Sequence, residues 1–138
     1  MKFRIILILM VLALSFSLFS CITSREINVE ISCDQFGETP NFASEFTASV
    51  GDKITVKLCS NQSTGFRWEY ETTGDAVLQE EDHDLVEPEG GVVGAPGQEV
   101  WTFEAVEKGT TEVHMEYNRP EEGTEQPEWT YTITITVE

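Results

Sequence analysis

The sequence predicts an all-β domain, and three observations support this prediction. Apolar and polar residues alternate with a period of two in several segments. Glycine-containing turn signals separate these segments, and no window of about twelve residues shows a helical period. Because each strand has one apolar face, two sheets must pack against each other. The expected fold is an immunoglobulin-like two-sheet antiparallel β-sandwich.

The first twenty residues are predicted to be an export signal, a lipoprotein signal peptide over 1–20. Lys2 and Arg4 form a short basic region, followed by an apolar run over 5–19 that is too short to span a bilayer comfortably. Cys21 directly follows Leu18-Phe19-Ser20, an arrangement that resembles a bacterial lipoprotein site with lipid on the thiol. Ordinary secretory cleavage and an uncleaved N-terminal anchor are the alternatives, and both also leave the rest of the chain outside the cytoplasm. We therefore expect an extracytoplasmic lipoprotein anchored to the cell membrane, or a secreted protein if Cys21 is not lipidated.

The rest of the chain is expected to contain a tether, 21–26, and one domain, 27–138. Without residues 1–20 the chain holds six basic residues against 25 acidic ones, a formal net charge of −19. Such a charge repels nucleic acid and anionic lipid headgroups, so membrane contact is expected only through the N-terminal lipid. The acidity is compatible both with steering toward a basic partner and with plain solubility.

Alternation also assigns each predicted strand its inward face. The inward positions are Ile27, Val29, Ile31 and Cys33; Ile54, Val56 and Leu58; Phe66, Trp68 and Tyr70; Val113, Met115 and Tyr117; and Trp129, Tyr131, Ile133, Ile135 and Val137.

Two cysteines, Cys33 and Cys59, each end a predicted strand. A pair of cysteines in an oxidising compartment predicts a disulfide; two buried free thiols are the alternative.

Strand direction predicts that three loops share one end of the sandwich. If strand 53–59 runs upward, the loops 60–65, 88–97 and 119–127 all lie at the top, where sandwiches commonly carry binding residues. This arrangement requires a strand within 72–87 that brings the chain back to the top, and only short apolar pairs indicate a strand there. The acidic run within that return, 80–84, lacks the spaced oxygens and central glycine of a calcium loop and is expected to be a solvated loop.

The sequence has few residues in arrangements typical of catalysis, which predicts a protein that is not an enzyme and needs no cofactor or metal. Nucleophile-elbow, HExxH and phosphate-binding glycine motifs are all absent from the sequence. His83 and His114 are far apart and have no ligand spacing to each other or to a cysteine. His114 falls on the polar face of a strand, which indicates a surface position.

One segment stands out, and it resembles a motif of the chagasin-like inhibitors of papain-family cysteine peptidases. Residues 61–66 are similar to that family's Asn-Pro-Thr-Thr-Gly-Tyr/Phe loop, and two further segments match its other contact loops in order and spacing. The first of these is similar to Gly-x-Gly-Gly and the second to Tyr-x-Arg-Pro-Trp. The three segments are Asn61-Gln62-Ser63-Thr64-Gly65-Phe66, Gly94-Ala95-Pro96-Gly97 and Tyr117-Asn118-Arg119-Pro120.

The resemblance implies reversible, tight-binding inhibition of a papain-like cysteine peptidase by a monomer. The 61–66 loop would enter the active-site cleft and cover the catalytic cysteine, while the loops 88–97 and 119–127 grip the walls. Small Ser63 and Thr64 suit a close approach to a thiol, and Gly65 allows a positive φ. Asn61 can brace the loop, which lowers the ordering cost of binding.

The chain also departs from the family pattern. Gln62 replaces the proline of the central loop, which removes one fixed φ. Pro96 stiffens the second loop, and Glu121 stands where a large aromatic contact is expected. These differences predict weaker inhibition or a different target, such as an enzyme with a basic rim. The alternative is a non-inhibitory extracytoplasmic binding or adhesion sandwich for a surface protein or glycan.

Overall fold

The computed structural model describes residues 23–119 and 126–138, which form a sandwich of two four-stranded sheets and thereby confirm the predicted fold class. The first sheet has the order β1-β3-β6-β5 and the second β2-β8-β7-β4. The elements in these ranges are β1 (Glu26–Ile31), α1 (Cys33–Glu38), β2 (Asn41–Ala48), β3 (Lys53–Ser60), a 3₁₀ turn (Gln62–Thr64), β4 (Arg67–Gly74), β5 (Leu78–Val86), a second 3₁₀ turn (Glu89–Gly91), β6 (Gly97–Ala105), β7 (Gly109–Asn118) and β8 (Trp129–Val137).

Each sheet contains one parallel pair, which differs from the purely antiparallel arrangement expected. β1 pairs with β3 and β2 pairs with β8 in parallel, while the other described pairings are antiparallel. The cause is the path of the chain. After β1 the chain crosses to the second sheet as β2 and returns to the first as β3, so β1 and β3 point the same way.

The core follows the alternation of the strands, which confirms the inward positions of the last strand. Tyr131, Ile133 and Ile135 are fully buried, and Val56 and Phe103 of the first sheet are buried as well. Burying each such side chain contributes about 1.5–3 kcal/mol to folding. In the part of the chain that the structure describes, the buried apolar residues lie between Ile31 and Val137, and Ile27 and Val29 of β1 pack against them.

A short helix lies where the sequence predicted only strand and turn. α1 is too short for a periodicity test, but Ser32 caps it and forms a capping box with Gln35. Phe36 on its inner face is 1% exposed. Cys33 is therefore the first residue of this helix and not the last of a strand. The predicted disulfide between Cys33 and Cys59 is confirmed, with the Cα atoms 5.1 Å apart.

The acidic run 80–84 is part of a strand and not the solvated loop that the sequence suggested. It forms most of β5, the edge strand of the first sheet, and pairs with β6 through a bulge between Glu80 and Asp82. The strand is exposed along nearly its whole length, so no alternation marks it in the sequence. Charged side chains on an edge strand discourage pairing with another chain.

β1 begins at Glu26, the last residue of the predicted tether 21–26. Arg25 is already held, since its N–H donates to Asp52 Oδ1 over 2.8 Å and its carbonyl accepts from the N–H of Lys53 over 2.9 Å. The predicted signal 1–20 and the lipidation site Cys21 lie outside the described residues. Within the described ranges, none of the helices has the length and apolar content needed to cross a membrane.

Asp52 holds the turn between β2 and β3 at the bottom of the sandwich and should contribute to its acid sensitivity. Hydrogen bonds from the N–H groups of Ser49 and Arg25 lower the pKa of this buried carboxyl below its ordinary value of 3.8. A lowered pKa means that the stabilisation is present above pH 3.8 and is lost as the pH falls through the folded-state pKa.

We expect Asp52→Ala to lower the free energy of unfolding by about 1–2 kcal/mol at neutral pH. Urea denaturation of both proteins at neutral pH and at about pH 2.5 should show the difference shrinking in acid. A difference that is the same at both pH values would contradict this role for the carboxylate.

Candidate functional site

Two loops and the described start of a third lie at the same end of the sandwich, as strand direction predicted. The pairing of Ser60 with Gly97, at the end of β3 and the start of β6, places the loop 61–66 next to the loop 87–96. The pairing of Arg67 with Asn118 places Arg119, the described start of the loop after β7, beside the same segment. Pro120 and Glu121 of that third loop lie outside the described residues. We name this end of the sandwich, with the loops that start at Asn61, Glu87 and Arg119, the loop end.

Hydrogen bonds within the loop 61–66 close it into a single 3₁₀ turn. The Asn61 Oδ1 atom accepts from the N–H of Ser63 at 3.2 Å and from its hydroxyl at 2.6 Å. The Thr64 hydroxyl donates to the Asn61 carbonyl at 2.6 Å, and the Gly65 N–H donates to the Gln62 carbonyl at 3.1 Å. Asn61 thus braces the loop as the sequence suggested, while residues 62–65 remain exposed.

Gly65 ends this turn in a conformation that suits glycine. Its φ is +79°, in the left-handed region that side chains with a Cβ avoid. A Cβ added here would meet no heavy atom within 4 Å other than those of its chain neighbours. The requirement at position 65 is therefore backbone conformation and not lack of space.

An aromatic cluster forms the floor beneath the loop. The ring of Tyr117 on β7 stacks on Phe66 at 5.1 Å and on Trp129 at 4.8 Å between centroids. The Tyr117 hydroxyl accepts from the N–H of Asn61 over 2.8 Å. Trp68 is 3% exposed and its indole N–H donates to the Cys59 carbonyl over 2.8 Å. The loop is thus fixed to the core on both sides.

The second loop is tied directly to the first. The Asn61 side-chain amide donates to the Gly94 carbonyl over 3.0 Å, and Gly94 itself has a φ of +85°. Gly97 at the end of this loop has no room for a side chain, because a Cβ would lie 2.1 Å from the Val86 carbonyl oxygen. Ala95 closes a turn through its N–H to the Val92 carbonyl over 3.1 Å, and Pro96 follows it.

Arg119 connects the described start of the third loop to the first. Its guanidinium lies 4.6 Å from the centroid of the Phe66 ring, a cation–π contact. Of the site residues predicted from sequence, the structure therefore brings together those of the first two loops and Arg119. Within residues 23–119 and 126–138, no group of three or more His, Cys, Asp or Glu could hold a metal ion.

Two features of the loop end were not predicted from the sequence. Val92 and Val93 in the second loop are 60% and 97% exposed, and Leu85 and Val86 beside them are about half exposed. In the sequence, Val92-Val93 is an apolar dipeptide inside a glycine-rich polar segment, and this contrast could have indicated an exposed apolar contact. The second missed feature is Glu99, a buried carboxylate whose position in the alternation of β6 matches the core residues Trp101 and Phe103.

Comparison with known proteins agrees with this geometry. A family model described as chagasin family peptidase inhibitor I42 matches residues 47–135, which include all three loops. The chain belongs to the chagasin family of peptidase inhibitors. It is 32% identical over 90 residues to Amoebiasin-2 of Entamoeba histolytica, an alignment that covers 63% of this chain and 73% of that protein.

Two solved structures show the chagasin-like fold of the chain. The crystal structure of the cysteine protease inhibitor EhICP2 from Entamoeba histolytica is similar with a TM-score of 0.66 and 22% identity, covering 82% of this chain and 97% of that one. PbICP-C, solved in complex with falcipain-2, gives a TM-score of 0.59 at 15% identity, covering 83% of this chain and 100% of that one. At these identities the similarity concerns the fold.

Proposed function

We propose that this chagasin-family member is a reversible, tight-binding inhibitor of papain-family cysteine peptidases and not an enzyme. The observation that carries the proposal is the loop 61–66, which is exposed at its tip, closed by its own hydrogen bonds and fixed to the core at its base. The relative EhICP2 is described as a cysteine protease inhibitor, and PbICP-C was solved in complex with falcipain-2, which supports this target class.

The closed turn explains how the loop could occupy a catalytic cleft without being cut. The N–H groups of Ser63, Thr64 and Gly65 are bonded within the turn, so the peptide bonds at the tip are held in one compact geometry. Attack by a thiolate needs a carbonyl carbon placed at bonding distance and in the right orientation. A rigid turn that presents small polar side chains fills the space above the thiolate and withholds that orientation.

The neighbouring loops extend the contact surface on either side. The second loop offers the exposed apolar side chains of Val92 and Val93, and the third begins at Arg119, which packs on Phe66. In this proposal the second loop contacts one wall of the peptidase cleft and the third loop contacts the opposite wall. The contact residues assigned to the two loops are Gly94, Ala95, Pro96 and Gly97, and Arg119, Pro120 and Glu121, respectively. Glu121 and the acidity of the whole chain favour a target with a basic rim.

The location proposed for this inhibition is outside the cytoplasm. The apolar run 5–19 followed by Cys21 supports a lipoprotein anchored to the membrane through its N-terminal lipid, with a secreted form if Cys21 is not lipidated. The Cys33–Cys59 disulfide is consistent with an oxidising compartment. We propose that the domain acts as a monomer and binds no nucleic acid.

Titration of the 22–138 domain against papain and a cathepsin-L-type peptidase tests the proposal. We expect stoichiometric loss of peptidase activity, recovery of activity on dilution and an uncut inhibitor on a denaturing gel. No inhibition at micromolar protein would contradict the proposal and favour the non-inhibitory binding sandwich. Turnover of a substrate by the domain itself would overturn its assignment as a non-enzyme.

The exposed valine pair provides a further prediction. Val93→Asp should weaken inhibition about tenfold, because an apolar side chain that is buried on binding is replaced by a charge. Val106→Asp is the matched control, since Val106 is 41% exposed in the turn between β6 and β7 at the opposite end. Inhibition constants of the two variants would contradict the prediction if they changed by the same factor.

A further inference from the structure

Glu99 is a charged side chain in an unusual place. It lies on the inward face of β6, three residues after the second loop, and is 2% exposed. Burying a carboxylate is costly unless other groups bond to it. The residue therefore needs an explanation that the packing of the sandwich alone does not provide.

The partners of this carboxylate come from both ends of the inhibitory loop. Its Oε1 atom accepts from the hydroxyl of Ser60 at 2.7 Å, directly before the loop. The same atom accepts from the N–H of Trp68 at 3.3 Å, directly after it. The other oxygen, Oε2, lies 3.4 Å from Nε2 of His83. The ring of His83 stacks on Trp101 with centroids 4.4 Å apart.

The topology shows why such a contact matters. β3, which leads into the loop, belongs to the first sheet, and β4, which leaves it, belongs to the second. The two strands are not paired, so no backbone ladder fixes the distance between the ends of the loop. β4 is also an edge strand, and the Trp68 N–H finds its partner in the Glu99 side chain. The Glu99 carboxylate thus bonds to both sheets at the base of the loop, next to the bond from the Trp68 indole N–H to the Cys59 carbonyl.

We propose that Glu99 is a positioning residue for inhibition, which rests on the proposed function of the loop 61–66. By holding Ser60 and the Trp68 backbone together, it fixes the span of the loop before the peptidase arrives. Binding then costs less conformational entropy. This also accounts for a rigid loop in a chain that has Gln62 where its relatives' motif has proline.

The test compares Glu99→Met with a matched control in the 22–138 domain. Asp52→Ala removes another buried carboxylate that holds a turn, but at the opposite end of the sandwich. Glu99→Gln keeps an acceptor for Ser60 and Trp68 and serves as the conservative variant. Two properties are measured: the inhibition constant for papain, and the hydrogen-exchange rates of the Ser63, Thr64, Gly65 and Trp68 amides in the free domain.

We expect Glu99→Met to weaken inhibition by about tenfold or more and to speed exchange at these four amides. Asp52→Ala should lower the melting temperature while it changes neither property, and Glu99→Gln should keep most of the inhibition. Equal effects of Glu99→Met and Asp52→Ala on both properties would overturn the proposal, because they would show only general destabilisation. So would a Glu99→Met variant with unchanged loop exchange.

If Glu99→Met does not fold, Ser60→Ala replaces it, since this change removes only one hydroxyl from the contact. Faster exchange at the four loop amides would support the positioning role, and unchanged exchange would overturn it. The exchange readout needs no peptidase. A wild-type domain that fails to inhibit would therefore refute the proposed function separately, while the exchange rates still decide whether Glu99 positions the loop.

Discussion

Thr64→Arg is expected to abolish inhibition of papain-family peptidases, with a loss of affinity of about 100-fold or more, while the domain stays folded. Thr64 is exposed at the tip of the closed turn, and its hydroxyl bonds to the Asn61 carbonyl. Arginine removes that bond and places a long charged side chain where the loop would approach the catalytic thiolate most closely. The clash and the desolvation of the charge both oppose binding.

Thr73→Arg is the control for this prediction. Thr73 is an exposed residue of the edge strand β4, near the end of the sandwich away from the loops, so the same chemical change occurs outside the proposed interface. Melting temperatures should stay close to wild type for both variants, and only Thr64→Arg should lose inhibition. Full inhibition by Thr64→Arg would mean that another surface binds the peptidase.

Removal of the disulfide is expected to have the largest effect on stability. Cys33 and Cys59 are separated by 26 residues, and a bridge of this span stabilises a domain by about 2–4 kcal/mol, chiefly by restricting the unfolded chain. The bridge also fixes the start of α1 to the end of β3, two residues before the inhibitory loop. The double variant Cys33→Ser/Cys59→Ala should unfold at a markedly lower urea concentration.

The reductant dependence of unfolding provides the control. Wild-type protein should lose the same stability when it is unfolded with a strong thiol reductant, and the double variant should not respond to the reductant. Unfolding midpoints of the wild type that are equal with and without reductant would contradict a stabilising bridge. Because the 22–138 domain lacks Cys21, no third thiol complicates the measurement.

The fold could be predicted where one face of a strand is buried and the other is open. β8 shows this best, since its alternation predicted the strand from Trp129 to Val137. β5 could not be found this way because both of its faces are largely exposed. α1 spans less than two turns, so its signal is the Ser32–Gln35 capping box and not a period. The parallel pairs depend on the path of the chain between sheets, which alternation within one strand does not reveal.

The position of the candidate loops could be predicted from the sequence, whereas the contacts that hold the loop 61–66 in place could not. The motif and the strand directions placed the loop 61–66 beside the second and third loops, and Asn61 and Gly65 adopt the expected bracing and positive φ. The contacts that hold the loop join residues far apart in sequence. Tyr117 is 56 positions from its partner Asn61, and Glu99 is 31 positions from its partner Trp68. Such contacts arise only when the two sheets are packed together, so no local pattern reports them.

The missing proline therefore has a structural counterpart. Proline would restrict one φ in the turn, whereas here Ser63 and Thr64 donate hydrogen bonds to Asn61. The Asn61 N–H in turn donates to the Tyr117 hydroxyl, and the carboxylate of Glu99 accepts from Ser60 at the base of the turn. Each such bond contributes about 0.5–1.5 kcal/mol net, and those to a charged group contribute more. A network of this size can offset the lost restriction.

Hydrogen–deuterium exchange of the domain, alone and in complex with papain, shows directly whether the loop end of the sandwich occupies the peptidase cleft. We expect slower exchange on binding in peptides that cover 61–66, 87–97 and 119–127. Peptides that cover the opposite turns, 49–52 and 106–108, should be unchanged. Protection of those opposite turns, or of the exposed edge strand β5 without the loop 61–66, would contradict binding through the loop end.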